Sequence, residues 1–190
     1  MNAVIISVAI LFFLLFLYLL KQSKQPTGLV GIWMMKIWNQ VYFPMVEWAI
    51  SQLEQQNIKN ILDVGIGNGQ STLYLKQYFP NSKVIGIDIS KTAITQAKKW
   101  NIADLNFELK DVGQTTYSAE SFDLITAFQT HFHWPDLSRA FSELRRILRR
   151  DGLILLACEW SKLTYFQPEL KKEEEFAAFL NNKGLKLVSS

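Results

Sequence analysis

The sequence predicts an α/β fold, a doubly wound and mostly parallel sheet, carried behind an N-terminal transmembrane helix. Three observations predict it. The run from Ala3 to Leu20 is apolar throughout, without a charge, Gly or Pro. From Asn60 onward, strand-like and helix-like segments alternate, as parallel strands joined by crossover helices require. A glycine-rich turn joins the first of those strands to the helix that follows it.

The apolar run is near the length that spans a bilayer, which predicts a single transmembrane helix over residues 1–24 with its basic flank. A cleaved signal peptide is the rival reading. It lacks support, because no charged side chain precedes the run and no small-x-small site follows Leu20. Lys21 and Lys24 follow the run directly, so the positive-inside rule places the remaining chain in the cytoplasm as a single-pass membrane protein. Residues 25–56 are read as a juncture and an aromatic-rich helical segment. QPTGLVG breaks the helix, and Pro44 is expected to split the segment holding Trp33, Trp38, Tyr42, Phe43 and Trp48 into two helical pieces. That segment reads either as a pair of helices packed on the domain or as an interfacial segment lying against the membrane or roofing a pocket.

Residues 57–190 are read as the ligand-binding domain, long enough to bury a core without disulfide or metal support. NILDVGI, KVIGIDI, NFEL, FDLITAF and GLILLAC read as strands; QSTLYLKQYF, KTAITQAKKW and PDLSRAFSELRRILRR read as helices. Nearly continuous apolar strands are what a sheet covered on both faces produces. Residues before Thr27 belong to no core visible in the sequence, so the domain is expected to fold and bind its ligand without them. The formal charge of +3 and the absence of a Lys/Arg stripe with interleaved aromatics argue against a nucleic-acid partner. Arg145, Arg146, Arg149 and Arg150 read as the solvated C-terminal end of a helix. Cys158, the single cysteine, reads as a small core residue, with no His or Lys near it in sequence to activate it. Oligomeric state is not legible.

The chemistry concentrates in ILDVGIGNGQST, a buried strand ending in Gly65-Ile66-Gly67-Asn68-Gly69. Glycines there let the backbone turn sharply and let a ligand approach the main chain. Asp88, at the end of VIGID, is placed to accept hydrogen bonds from ribose hydroxyls, and together these describe an adenosyl-ligand site. A dinucleotide fingerprint would want glycine where Gln70 stands. Asp63 suits either a ligand's ammonium group or a buttress for the loop.

These residues resemble the class I S-adenosylmethionine-dependent methyltransferases. LDVGIGNGQS is similar to their motif I, VIGIDIS to the acidic second strand, LKDVGQTTYSAESFDLI to the third and fourth strand region, and RILRRDGLILL to the approach to the fifth strand. The small bacterial enzymes related to the ubiquinone and menaquinone methyltransferases look most alike, and the lead-in QPTGLVGIWMMKIWNQ is similar to segments found in some of them. The resemblance implies a Rossmann-like methyltransferase fold and S-adenosylmethionine as methyl donor. It places Gly65, Ile66, Gly67 and Gly69 along the methionine and ribose, Asp88 with Ile89 at the ribose hydroxyls, Asp111 with Val112 at the adenine edge, and Phe128 beside the donor. Arg150-Asp151-Gly152 stands where the family has a Pro-Gly-Gly turn. GLKLVSS leaves room for a sixth strand, with the seventh, final strand expected to be missing, which implies a truncated product, an altered sheet edge or pairing with another chain.

His131 and His133 in THFHWPD follow the fourth strand, where an acceptor would bind, and are the candidate bases; the alternative is that they cap or pack the next helix. Glu159 is a weaker candidate of the same kind. The expected function is methylation of a small, lipophilic acceptor at the membrane. Two rivals remain: a non-catalytic, membrane-anchored protein that keeps the fold, and a nicotinamide-dependent oxidoreductase, whose usual Tyr-Lys pair the sequence does not locate.

Overall fold

A computed structural model describes residues 2–53 and 57–188. Residue 1 lies outside the described residues, as do residues 54–56 at the end of the expected aromatic-rich segment and residues 189–190 at the end of the expected sixth strand.

Five strands form one parallel sheet: β1 (Asn60–Val64), β2 (Lys83–Asp88), β3 (Leu105–Leu109), β4 (Phe122–Phe128) and β5 (Leu148–Ala157). Their order is β3-β2-β1-β4-β5. The chain winds outward from β1 to β3, then returns to the other side of β1 as β4. That reversal opens a crevice beyond the carboxyl ends of β1 and β4, because the loops leaving those strands run apart.

Although the strands read as unbroken apolar runs, successive residues divide between two cores, as a pleated strand demands. Ile61 and Leu124 join one buried cluster with Leu75 of α3 (Gln70–Tyr78), Ala97 of α4 (Lys91–Ala97) and Ile50 of α2 (Gly28–Ser51). Leu62 and Ile125 join the other, with Ala140, Leu144 and Ile147 of α5 (Leu137–Ile147). Helix starts are fixed by side-chain caps: Ser90 Oγ accepts from the Ala93 amide at 3.2 Å, and Asp136 Oδ1 from the Arg139 amide at 2.8 Å.

Several expectations need correction. Pro44 does not split its segment: α2 runs through it, held by buried Met34 and Met35 before the proline and Val46, Ala49 and Ile50 after it. The basic run is not all helical. α5 ends at Ile147, and Arg149 and Arg150 lie in β5, paired with Asp123 at 2.8 Å and Glu120 at 3.3 Å across an irregular register between Phe122 and Leu124. Gly152 therefore lies inside a strand, where a Cβ would come within 2.7 Å of Leu148. No sixth strand forms among the described residues. After α6 (Trp160–Phe166) and α7 (Glu173–Asn181), Leu185 packs on the second core, and Arg145 Nε donates to the Gly184 carbonyl at 3.1 Å, so the segment docks toward α5 instead of pairing with β5.

α1 (Asn2–Lys24) is long and apolar enough to cross a membrane, and its side chains from Val4 to Tyr18 are all exposed. Its last turn is not a free appendage. Gln22 is buried; its side chain accepts from the Thr27 amide at 2.7 Å and donates to the Thr27 hydroxyl at 2.8 Å. The juncture shrinks to Gln25–Thr27, where the Pro26 carbonyl accepts from Ser90 Oγ at 2.5 Å, tying it to the end of β2.

Gly69 shows how tightly the glycine loop is packed. Its φ is +82°, and a Cβ would lie 2.8 Å from Ala97 Cβ and 3.0 Å from the Phe107 ring, so the residue lets α3 close onto α4 and β3. Gly69→Ala should destabilise the fold by about 2 to 4 kcal/mol through left-handed strain and overpacking. In micelles, thermal unfolding followed by circular dichroism should show a Tm lowered by about 5 to 15 °C.

Candidate functional site

A cavity of about 570 Å³ occupies the crevice at the carboxyl ends of the strands. Its floor is made by the strand tips: Gly65, Ile66 and Gly67 after β1, Asp88 and Ile89 at β2, Asp111 and Val112 after β3, and Phe128, Gln129 and Thr130 at β4. Met34, Met35, Trp38, Asn39, Tyr42, Phe43 and Val46, all on α2, form the roof. The third wall comes from Phe16, Leu19, Leu20 and Lys24 of α1, with His133 and with Lys162 and Phe166 of α6.

The glycine loop owes its shape to two constraints. Gly65 has φ +74° and passes so close to the end of β4 that a Cβ would overlap the Thr130 side chain. Gly67, at φ +55°, has nothing nearer to its Cβ position than Met35 Sδ at 3.9 Å, so a side chain there would project into cavity space. Asp88 holds the loop from β2: its Oδ2 accepts from the Gly67 amide at 3.0 Å and its Oδ1 from the Ser90 amide at 2.8 Å. These backbone donors, with the Ile89 amide, leave acceptor capacity on a carboxylate that lines the cavity. Burial raises its pKa above the ordinary aspartate value.

Asp63 takes the second of its two expected roles. It is buried below the loop and does not line the cavity; Ser71 and Thr72 donate to Oδ2 at 2.7 and 2.8 Å, and Thr126 donates to Oδ1 at 2.8 Å. Burial pushes its pKa up to about 6, against the lowering effect of those three hydroxyls. Gly69 likewise stands away from the cavity lining. The other residues expected around a donor, Gly65, Ile66, Gly67, Asp88, Ile89, Asp111, Val112 and Phe128, all come together in the lining.

The two histidines separate. His133 lines the cavity, whereas His131 is buried behind it, its Nε2 3.7 Å from Cys158 Sγ. Burial pushes both rings down to about 4, helped at His131 by His133 and at His133 by Lys24 and Lys162. Both are neutral at pH 7, and His133 is a weak proton acceptor. Cys158 does have a histidine and a lysine near it in space, yet burial pushes the thiol up to about 11, which leaves it inert.

Sequence reasoning missed the α1 wall, Thr130, and the cluster around Lys162. Lys162 Nζ donates to Tyr42 Oη at 2.5 Å and pairs with Glu159 at 3.1 Å, while Tyr42 donates to Glu159 at 3.1 Å. This contact joins a tyrosine of α2 to a lysine of α6. Nothing in local sequence joins two residues so far apart. Gln129 was also overlooked; it turns the chain out of β4 with φ +56°, an uncommon conformation for a non-glycine residue.

Residues 62–156 match the methyltransferase domain family. The malonyl-[acyl-carrier protein] O-methyltransferase 1 of Ilyobacter polytropus is 32% identical over 149 residues, covering 69% of this chain and 54% of that protein. The uncharacterized methyltransferase YcgJ of Bacillus subtilis is 27% identical over 125 residues, covering 64% and 46%. The chain therefore spans about half the length of the curated relatives it matches. Among solved structures, YcgJ superposes with a TM-score of 0.60 at 23% identity, covering 73% of this chain and 66% of that one. A Haemonchus contortus phosphoethanolamine N-methyltransferase 2, bound to phosphomonomethylethanolamine and S-adenosylhomocysteine, superposes with a TM-score of 0.65 at 16% identity, covering 79% and 41%. These likenesses establish a shared α/β Rossmann-like methyltransferase fold.

The buried titrating groups make stability depend on pH in opposite senses. Asp63 titrates at about 6 when folded, against an ordinary 3.8, so the folded state holds a proton that the unfolded state has released. Its contribution is greatest below pH 4 and falls by about 3 kcal/mol as pH rises to 6. The histidines run the other way, their contribution being lost as pH falls from 6.5 toward 4. Thermal unfolding of Asp63→Asn beside the unmodified protein isolates the first effect: the Tm difference should shift in the variant's favour between pH 4 and 6, then stay constant above.

Proposed function

Given that the chain belongs to the methyltransferase domain family, we propose that it is an S-adenosylmethionine-dependent methyltransferase acting on a small, lipophilic acceptor at a membrane. The observation that carries this reading is the cavity itself, in which the Gly65–Gly67 backbone and the Asp88 carboxylate form one end and apolar side chains of α1 and α2 enclose the other. The donor fits the residues present: Gly67 offers a cradle that a Cβ would fill, and Asp88 retains acceptor capacity for ribose hydroxyls. Phe128 and Val112 offer apolar flanks to an adenosyl group.

S-adenosylmethionine supplies a methyl group on a sulfonium, a leaving group that needs no proton. The protein's contribution is then orientation of donor and acceptor and exclusion of water. α2 excludes water by covering the strand tips with Met34, Met35 and Phe43. His133, neutral at pH 7, can orient a polar group of the acceptor by a hydrogen bond.

Membrane placement is supported by α1 and by the outer face of α2, where Val30, Trp33, Ile37, Val41 and Trp48 recur at helical spacing. Trp33 is 62% and Trp48 64% exposed, a costly arrangement in water and an ordinary one at a lipid interface. The inner face of the same helix roofs the cavity, which is compatible with an outer face turned to lipid. Lys21 and Lys24 at the end of α1 support a cytoplasmic position for the domain, where the donor is made. The resemblance to the ubiquinone and menaquinone methyltransferases supports a lipophilic acceptor in the same way.

Calorimetry tests the reading. The full chain should bind S-adenosylhomocysteine and not NADH. Asp88→Ala should weaken that binding by about 1 to 3 kcal/mol through loss of charged hydrogen bonds. Gly67→Val should abolish it while the circular dichroism spectrum stays native. Tight binding by the folded valine variant would show that the loop is merely structural.

A further inference from the structure

Resting on the methyltransferase reading above, we propose that the acceptor is an acid, an apolar molecule whose carboxylate or phosphate oxygen is held by Lys162 and Lys24 at the α1–α6 end of the cavity.

The carboxylates of the lining gather at one end. Asp88 and Asp111 stand at the tips of β2 and β3, beside Lys110, whose ammonium pairs with Glu108 at 3.4 Å; the α1–α6 end presents Lys24, Lys162 and His133 and no carboxylate among its described lining residues. Lys162 is fixed in place, since its ammonium lies 4.1 Å from the Tyr42 ring centroid and 5.4 Å from that of Trp38, and it bonds Tyr42 and Glu159. An ammonium carries three donors, so one remains for a ligand, and the side-chain entropy of holding it still is already spent. Lys24 lies 5.5 Å from the Phe166 centroid and has no carboxylate partner among the described residues. Glu159 thus balances one of two ammonium charges.

A separate observation marks the same end as a polar contact point. His133 Nδ1 is buried and has no hydrogen-bond partner in the protein. Its ring packs on the Phe166 ring at 4.8 Å, the same ring that the Lys24 ammonium covers, and both lysine charges push its pKa down. An acceptor bearing an ammonium would meet these charges and the sulfonium of the donor together, at a cost Coulomb's law makes large in a half-buried site. An anion reverses the sign of every one of those terms. The remaining wall, Phe16, Leu19 and Leu20, accepts only an apolar body.

The test uses the full chain in phosphatidylcholine nanodiscs saturated with S-adenosylhomocysteine, titrated with decanoate, decyl phosphate, decanol and decylammonium, with empty nanodiscs as the partition control. Decanoate or decyl phosphate should bind about tenfold or more tightly than decanol, the usual scale of a charged hydrogen bond, and decylammonium should bind more weakly than decanol. Whichever of the two anions binds better identifies the acid. Lys162→Met should erase most of the preference; Lys24→Gln, at an exposed side chain outside any ion pair, should reduce it with no risk to folding. Equal binding of the three charge types, or a preference that survives in the double variant, overturns the inference. S-adenosylhomocysteine binding in the unmodified protein separates the two failures: if it is intact without an acid preference, only the acid assignment falls, and if it is absent, the methyltransferase reading falls as well.

Discussion

The carboxylate of Asp63 is the point on which the site depends. It sits near the end of β1, fully buried, and gathers hydroxyl donors from the first turn of α3 and from β4. Those elements flank the place where strand order reverses, so one side chain fixes how far apart the sheet opens and where the glycine loop must pass. Burying a carboxylate is expensive, and three hydroxyl donors only partly offset it, as its raised pKa records. Apolar packing could hold β1 against β4 equally well. It could not set the direction of the α3 start, which needs directional bonds. Gly65, Gly67 and Gly69 then fill the space left between that anchor and Asp88, each in a left-handed conformation that branched residues avoid.

Much of this was legible from residues alone. The strands of the sheet, the switch-point crevice and most of the floor follow from apolar runs, a glycine turn and an acidic residue placed one strand over, all of them local signals. What escaped was non-local. Pro44 lacks a donor and so signals a break, but burial on both sides of it outweighs one lost hydrogen bond. Arg149 and Arg150 continue a basic run that signals a helix end, yet they lie in β5, with ion-pair partners Asp123 and Glu120 far back in sequence. The Tyr42–Lys162–Glu159 cluster and the wall of α1 depend on how separate helices converge, which no periodicity encodes.

Cys158 and the histidines show how proximity and reactivity part company. The fold brings His131 to the cysteine, and Lys162 stands four residues on, yet the thiol becomes less acidic, because desolvation penalises its anion more than Lys162 favours it. For His131 and His133 the same burial suppresses the cation. Side chains that a motif search would select for acid–base work are here held in their neutral forms by burial, and the charged chemistry at this end of the molecule falls to Lys24 at the end of α1, Lys162 on α6 and Glu159 at the N-cap of α6.

An apolar helix that only anchors a protein is interchangeable: any run of similar length and hydropathy would serve, and its rotation about its own axis would be immaterial. α1 has lost that freedom. Gln22 is clamped to Thr27, and Phe16, Leu19, Leu20 and Lys24 must present one face to the cavity. Turning the helix by a single residue would swing that face through about 100° and carry these side chains off the wall. A segment whose composition looks degenerate is therefore specified in phase, so that one residue inserted between Leu20 and Gln22 would keep its hydropathy and rotate Phe16, Leu19 and Leu20 off the cavity wall.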